Sequence, residues 1–101
     1  MAASRSVEWT ARAERDLERI HAFILSRWSE READRLLDLV QQFELFVVLW
    51  PSGFRRSAQN KHLRLGFVHW NTTAVYRVYR DRIVIVALFD KLQRPRPKRE
   101  N

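Results

Sequence analysis

The stretch from Leu63 to Asp90 constrains this chain more than any other. Leu63–Trp70, Thr72–Tyr79 and Arg82–Asp90 are each rich in Val, Ile, Thr and aromatic residues, the side chains that suit a pleated, half-buried surface. With two-residue loops at Asn71-Thr72 and Arg80-Asp81, they read as two consecutive β-hairpins, three antiparallel strands in all. That register opposes Arg64 to Tyr79, Gly66 to Arg77 and Val68 to Val75 in the first hairpin. In the second it opposes Tyr79 to Arg82, Arg77 to Val84 and Val75 to Val86. Side chains alternate along a strand, so the register predicts two faces. Leu63, Leu65, Phe67, Ala74, Tyr76, Val78, Ile83, Ile85, Ala87 and Phe89 form a core face. Arg64, Gly66, Val68, Trp70, Thr73, Val75, Arg77, Tyr79, Val84, Val86, Leu88 and Asp90 form the other. This second face is half apolar and half basic, so either more chain or a partner should cover it.

The rest of the chain offers cover for one face only. Val7 and Trp9 lie in a short alternating segment, Arg5–Trp9, that reads as a first strand joining the sheet later. Thr10 supplies an N-cap hydroxyl, and Ala13, Leu17, Ile20, Ile24 and Trp28 recur at helical spacing. Arg12, Glu14, Arg15, Asp16, Glu18 and Arg19 lie between them and predict a solvated face. Ser29 to Glu32 forms a capping box that starts a second helix at once, so the two helices are antiparallel neighbours. Ala33, Leu36, Leu37, Val40, Phe43 and Val47 give that helix its stripe, and Pro51 stops it after Trp50. Its last part, Phe43–Trp50, is apolar on nearly every side. Residues 51–61 form a loop carrying Arg55, Arg56 and Lys61. The prediction is an α+β domain of order β-α-α-β-β-β, in two layers, with the helical hairpin packed on one face of an antiparallel sheet. Residues 1–95 make that single domain, and 96–101 a basic tail.

Charge distribution sharpens the picture of the open face. Of the +7 net charge, residues 1–54 hold seven basic and nine acidic side chains, whereas residues 55–101 hold twelve and three. The strand half should therefore attract an anionic partner. The chain has no cysteine, which removes disulfide and thiolate chemistry and fits a cytoplasmic location. No apolar run approaches the roughly 20 residues of a spanning helix, and the start lacks the apolar centre of a secretion signal. His21, His62 and His69 are too scattered for a metal site, and His69 falls on the core side of the register. No metal or small-molecule cofactor is expected.

Several segments in this order resemble the RelE/ParE superfamily of type II toxin–antitoxin toxins, also called plasmid stabilisation proteins. They are Val7-Glu8-Trp9-Thr10 with Ala13 and Leu17, Trp28-Ser29-Glu30 with Ala33, Pro51 with Phe54, Leu63-Arg64, Ala74-Val75-Tyr76-Arg77-Val78, and Phe89-Asp90-Lys91-Leu92-Gln93-Arg94-Pro95. The last is similar to the ending of one ParE-like branch. The resemblance implies a growth-arresting toxin neutralised by a cognate antitoxin that lays an extended or helical segment across helices and sheet. It implies one of two targets: DNA gyrase, as for ParE-like members, or ribosome-bound messenger RNA, as for RelE-like endoribonucleases.

The residues weigh against the nuclease. RNA cleavage needs cations and acid–base groups converging on one phosphate. The family's groove arginine falls here on Thr73, and no tyrosine follows Tyr79. Arg64, Arg77 and Tyr79 remain as the candidate catalytic set. An arginine on a strand often serves a neighbouring carboxylate instead, here Asp90, although Gly66 opposite Arg77 would let the guanidinium lie flat. Trp50 and Trp70 offer stacking surfaces or simply lock a helix end and a turn. The expected surface for antitoxin or target comprises Arg64, Val68, Trp70, Val75, Arg77, Tyr79, Val86, Leu88, Lys91 and Arg94. A non-toxic basic nucleic-acid-binding module is a further alternative.

Overall fold

A computed structural model describes residues 5–90, so Lys91, Arg94 and the tail expected at 96–101 lie outside the described residues. The elements run β1 (Ser6–Trp9), α1 (Ala11–Arg27), α2 (Glu30–Leu49), β2 (Arg64–His69), β3 (Thr72–Val78) and β4 (Arg82–Asp90). Both helices begin where a side-chain oxygen replaces a missing intrahelical acceptor. Thr10 Oγ1 accepts from the Ala13 amide and Ser29 Oγ from the Glu32 amide, each at 3.0 Å. The helix α2 closes at Trp50, whose N–H reaches the Phe46 carbonyl, and Pro51 cannot extend it. Ala13, Ile20 and Ile24 of α1 and Ala33, Leu36, Val40, Phe43 and Val47 of α2 are buried, so the helical stripes make one core against the sheet.

The sheet has the order β1-β4-β3-β2 and is mixed. The strands β2, β3 and β4 are antiparallel neighbours as expected, but β1 lies parallel to β4, Val7 beside Ile83 and Trp9 beside Ile85. The helical hairpin carries the chain from β1 to the opposite edge at β2, and the antiparallel run β2–β3–β4 returns to lie beside β1. The last strand is thus an inner one.

Register departs from expectation in both hairpins, and the departures decide which residues face out. In the first, Arg64 pairs with Tyr76, Gly66 with Ala74, Phe67 with Thr73 and His69 with Thr72. The turn therefore sits at Trp70-Asn71, and a bulge falls between Phe67 and His69. An odd shift exchanges the faces of β2. Gly66 and Val68 lie beneath the helices, and Leu65 and Phe67 face out. In the second hairpin Arg77 pairs with Val84 as expected, but Tyr76 pairs with Ile85 and Val75 with Ala87, leaving Val86 as the extra residue of a bulge. Leu88 and Asp90 consequently turn into the interior, at 1% and 2% exposure, and Phe89 turns out. The expected outward placement of Arg64, Val68 and Leu88 is corrected accordingly, while Thr73, Val75 and Arg77 stay on the outer face.

Gly66 is needed for a different reason from the one expected. It lies opposite Ala74, not Arg77, and a Cβ there would stand 2.4 Å from the Phe43 ring. Helix α2 touches bare backbone at this point. Asp16 is also misplaced by the helical pattern: it is buried, and its Oδ2 accepts from the Leu88 amide at 3.0 Å. Its Oδ1 meets Arg19 Nη2 at 3.0 Å, and Arg12 Nε lies 3.4 Å from Oδ2. With Thr10 Oγ1, which donates to the Val86 carbonyl at 2.8 Å, Asp16 serves the β4 backbone where β1 has ended.

Two polar clusters are fixed inside. At the β2–β3 turn His69, Asn71, Thr72 and Asp90 are all buried. Asn71 Oδ1 accepts from His69 Nδ1 and from Thr72 Oγ1, and its amide donates to Asp90 Oδ1 at 2.9 Å. Asp90 thus serves the turn. Under the 51–54 loop, the fully buried Tyr76 donates its hydroxyl to the Pro51 carbonyl at 2.9 Å. Burial raises its pKa above 10.0, while Arg64 and the Phe54 backbone pull it the other way. A raised native pKa means that stability is intact below the unfolded value and lost as pH climbs through the folded one. Alkaline melts should therefore show stability falling above about pH 10. In Tyr76→Phe that alkaline loss should flatten. An unchanged alkaline slope in the phenylalanine variant would assign it to other groups.

Candidate functional site

Among the described residues, the helices cover one face of the sheet and no element covers the other. Its side chains follow from the register as rows across the strands. Phe67, Thr73 and Phe89 form one row, and Leu65, Val75 and Ala87 the next. Arg77, Val84 and Glu8 form a third, and Arg82 with Ser6 a fourth that the Tyr79 turn closes. The face therefore has two halves of different chemistry.

The apolar half is a cleft of about 620 Å³ lined by Phe54, Arg55, Leu65, Phe67, Thr73 and Phe89, with Gly53 and Gly66 in its wall. Phe67 is 63% exposed and Phe89 37%, high values for rings on a packed sheet. Val75, by contrast, is 6% exposed, mid-sheet between Leu65 and Ala87. Two guanidinium groups border this half: Arg55 in the cleft, and Arg12, whose Cζ lies 5.5 Å from the centre of the Phe89 ring.

The charged half is a stack. The Tyr79 ring has Arg77 at 5.0 Å and Arg82 at 4.4 Å from its centre, both cation–π contacts. Arg82 is already answered by Glu8 at 3.4 Å and by Asp81 at 3.2 Å. Arg77 has no carboxylate within ion-pair distance among the described residues, and it remains available for an incoming anion.

The candidate catalytic set is divided by this geometry. Arg77 and Tyr79 are neighbours on the outer face. Arg64 is not with them: its Nη1 donates to the Phe54 carbonyl at 2.6 Å, beside Tyr76 on the helix side of the sheet. Thr73 lies in the apolar cleft, where it supplies no charge. Among the described residues no group of His, Cys, Asp or Glu is placed to hold a metal, and no helix is long and apolar enough to cross a membrane.

Trp70 is exposed but belongs elsewhere. It lies against Trp28, ring centres 5.7 Å apart, bridging the helical turn and the β2–β3 turn. Leu45, Leu49 and Trp50 make a further exposed apolar group at the end of α2, where the sequence is apolar all round. Sequence reasoning placed Leu65, Phe67 and Phe89 in the core and therefore missed them as groove residues, and it passed over Arg12, Arg55 and Arg82. The one available signal was Gly66: a glycine in a strand marks a place where something packs on the backbone.

Comparison with known proteins now bears on this geometry. Residues 7–95 match the family model described as the ParE toxin of the type II toxin–antitoxin system parDE. Over 91 residues the chain is 33% identical to a protein named Toxin RelE3 from Caulobacter vibrioides, covering 89% of this chain and 98% of the relative. Among solved structures, it resembles one from the chromosomal ParDE system of P. aeruginosa, with a TM-score of 0.72 at 22% identity, covering 86% of this chain and 96% of that one. It also resembles a chain of the E. coli DinJ–YafQ toxin–antitoxin complex, with a TM-score of 0.61 at 8% identity, covering 90% of this chain and 97% of that one. At those identities the structural likeness concerns the fold.

Proposed function

This chain belongs to the ParE toxin family of type II toxin–antitoxin systems, within the RelE/ParE superfamily, and from that premise we propose that it arrests growth by inhibiting DNA gyrase and is held silent by a cognate antitoxin. The observation that carries the choice of target is the composition of the outer face. Stabilising a pentavalent phosphate needs several cations and a proton donor around one point. Here the centre of the face is Thr73 and Val75, Arg64 is on the opposite side, and the Tyr79 ring is already in contact with two guanidinium groups. Such a face suits the binding of a protein better than the cutting of RNA. The same reading makes the exposed ring of Phe67 and the unanswered Arg77 the natural ground for the antitoxin.

Induction of this chain alone, in the cytoplasm, should stop growth, and co-expression with the antitoxin encoded beside it should restore growth. Purified protein should block supercoiling by gyrase in vitro while ribosome-bound message stays intact in primer extension. A second reading, ribosome-dependent cleavage of messenger RNA, draws on the relative named Toxin RelE3. Cuts in message that vanish in Arg77→Ala, with supercoiling untouched, would replace the first reading by the second.

A further inference from the structure

The last turns of α2 carry more apolar surface than the fold uses. Ala33, Leu36, Val40, Phe43 and Val47 are the buried side of the helix. At 3.6 residues per turn, Leu45 and Leu49 stand on the side opposite to them, and they are 67% and 66% exposed. With Leu37 and Gln41, both also exposed, they make one row at i, i+4 spacing. Gln42, Phe46 and Trp50, exposed as well, make the row beside it. The aromatic end of this surface is held in place: the Phe46 ring centre lies 5.4 Å from that of Trp50 and 5.1 Å from that of Phe54. Nothing comparable packs on Leu45 and Leu49 among the described residues. Charge limits what can sit there. None of the 19 Lys and Arg residues falls between Arg35 and Arg55. Glu44, the one acid in residues 39–54, accepts from Trp9 Nε1 at 2.6 Å and is thereby committed to β1.

We propose that two copies of this chain associate through the solvent side of α2, in an isologous contact that places Leu45 beside the two-fold axis. An uncharged apolar surface on a soluble chain marks a place where another protein packs. Electrostatics chooses the partner. An anionic protein is drawn to the basic strand half and gains no attraction at the back of α2. A second copy carries the same +7, and this is a face on which two such copies meet without bringing cations together. The surface is also self-complementary, because rows at i, i+4 spacing on one helix fit the grooves between the same rows on another. The area is small, so the pairing should be weak and reversible. The inference does not depend on the target. The outer face lies across the sheet from α2 and stays open in such a dimer.

A charge exchange at the axis is the direct test. Sedimentation of the whole chain over a wide range of concentration should show a reversible rise from one chain mass toward two. Leu45→Glu and Leu45→Lys should each weaken that association roughly tenfold or more, since each variant sets like charges face to face. Leu45 is mostly exposed in a single copy, so at low concentration both variants should melt with the wild type. Mixed in equal amounts, they should pair with one another more tightly than either pairs with itself, because opposite charges now meet. A wild-type chain that stays monomeric throughout would overturn the proposal, and so would a dimer that neither variant weakens. Two weakened variants whose mixture recovers nothing would show that the Leu45 side chains do not meet, which overturns the two-fold contact. A monomeric wild type whose Leu45→Glu variant loses affinity for the antitoxin encoded beside it would assign this face to the antitoxin and overturn the proposal as well.

Discussion

Replacing Gly66 by alanine is expected to destabilise the protein by about 2–3 kcal/mol, seen as a melting temperature lowered by roughly 10–20 °C. The new methyl carbon would lie 2.4 and 2.7 Å from two carbons of the Phe43 ring and 3.2 Å from Phe54. A flexible side chain could move aside, but Phe43 is buried, with Tyr76 edge-on at 5.7 Å and Phe54 at 5.8 Å. Either the ring leaves its rotamer, losing those ring contacts, or α2 lifts off the sheet. Alanine also stiffens the unfolded chain, a gain of under about 1 kcal/mol that the clash outweighs. Trimming the ring should compensate: Phe43→Leu in the Gly66→Ala background should recover part of the loss, a coupling that a double-mutant cycle reads directly. Gly66→Ala melting with the wild type would mean that α2 does not rest on β2 at this point.

Asp16→Ala is expected to cost about 2–3 kcal/mol, chiefly because the buried Leu88 amide loses its acceptor. The ion pairs contribute less. Arg12 and Arg19 keep 57% and 47% of their side-chain surface in water and rehydrate when the carboxylate goes. Asp16→Asn, which keeps an acceptor oxygen but removes the charge, should lose less than half as much. Hydrogen exchange separates this account from a general loosening: the Leu88 amide should lose protection in the alanine variant well before the amides of β3. Undiminished protection at Leu88 would show that the carboxylate is not its partner in solution.

Helices and their ends were legible in the sequence because the signals are local. Thr10, Ser29 and Pro51 act on backbone groups within four residues, and the buried stripes follow directly from spacing. Register was not legible, and the reason is specific. In β2 the sequence Arg64-Leu65-Gly66-Phe67-Val68-His69 is apolar on both parities, so alternation gives no preference between the two faces. Large residues seemed the natural core, whereas the core there is supplied by α2, with Phe43 filling the place that Gly66 leaves open. In β4, Ile83 to Leu88 is apolar throughout, and a bulge at Val86 leaves no trace in such a run. Both errors move whole sets of side chains across the sheet, which is why Leu88 changed from docking residue to core residue and Phe89 did the reverse. Asp16 shows a third limit: a charge pattern records which residues are ionic, not which of them a distant strand will claim.

The position of β4 has a consequence for how the protein is made. It is the last strand in sequence among the described residues, yet it is the seat on which both β1 and β3 pair. A nascent chain therefore carries β1 without its partner strand until Arg82–Asp90 has cleared the ribosomal tunnel. A product released early, by a stop codon or a stalled ribosome, lacks the centre of its sheet and not merely an end of it.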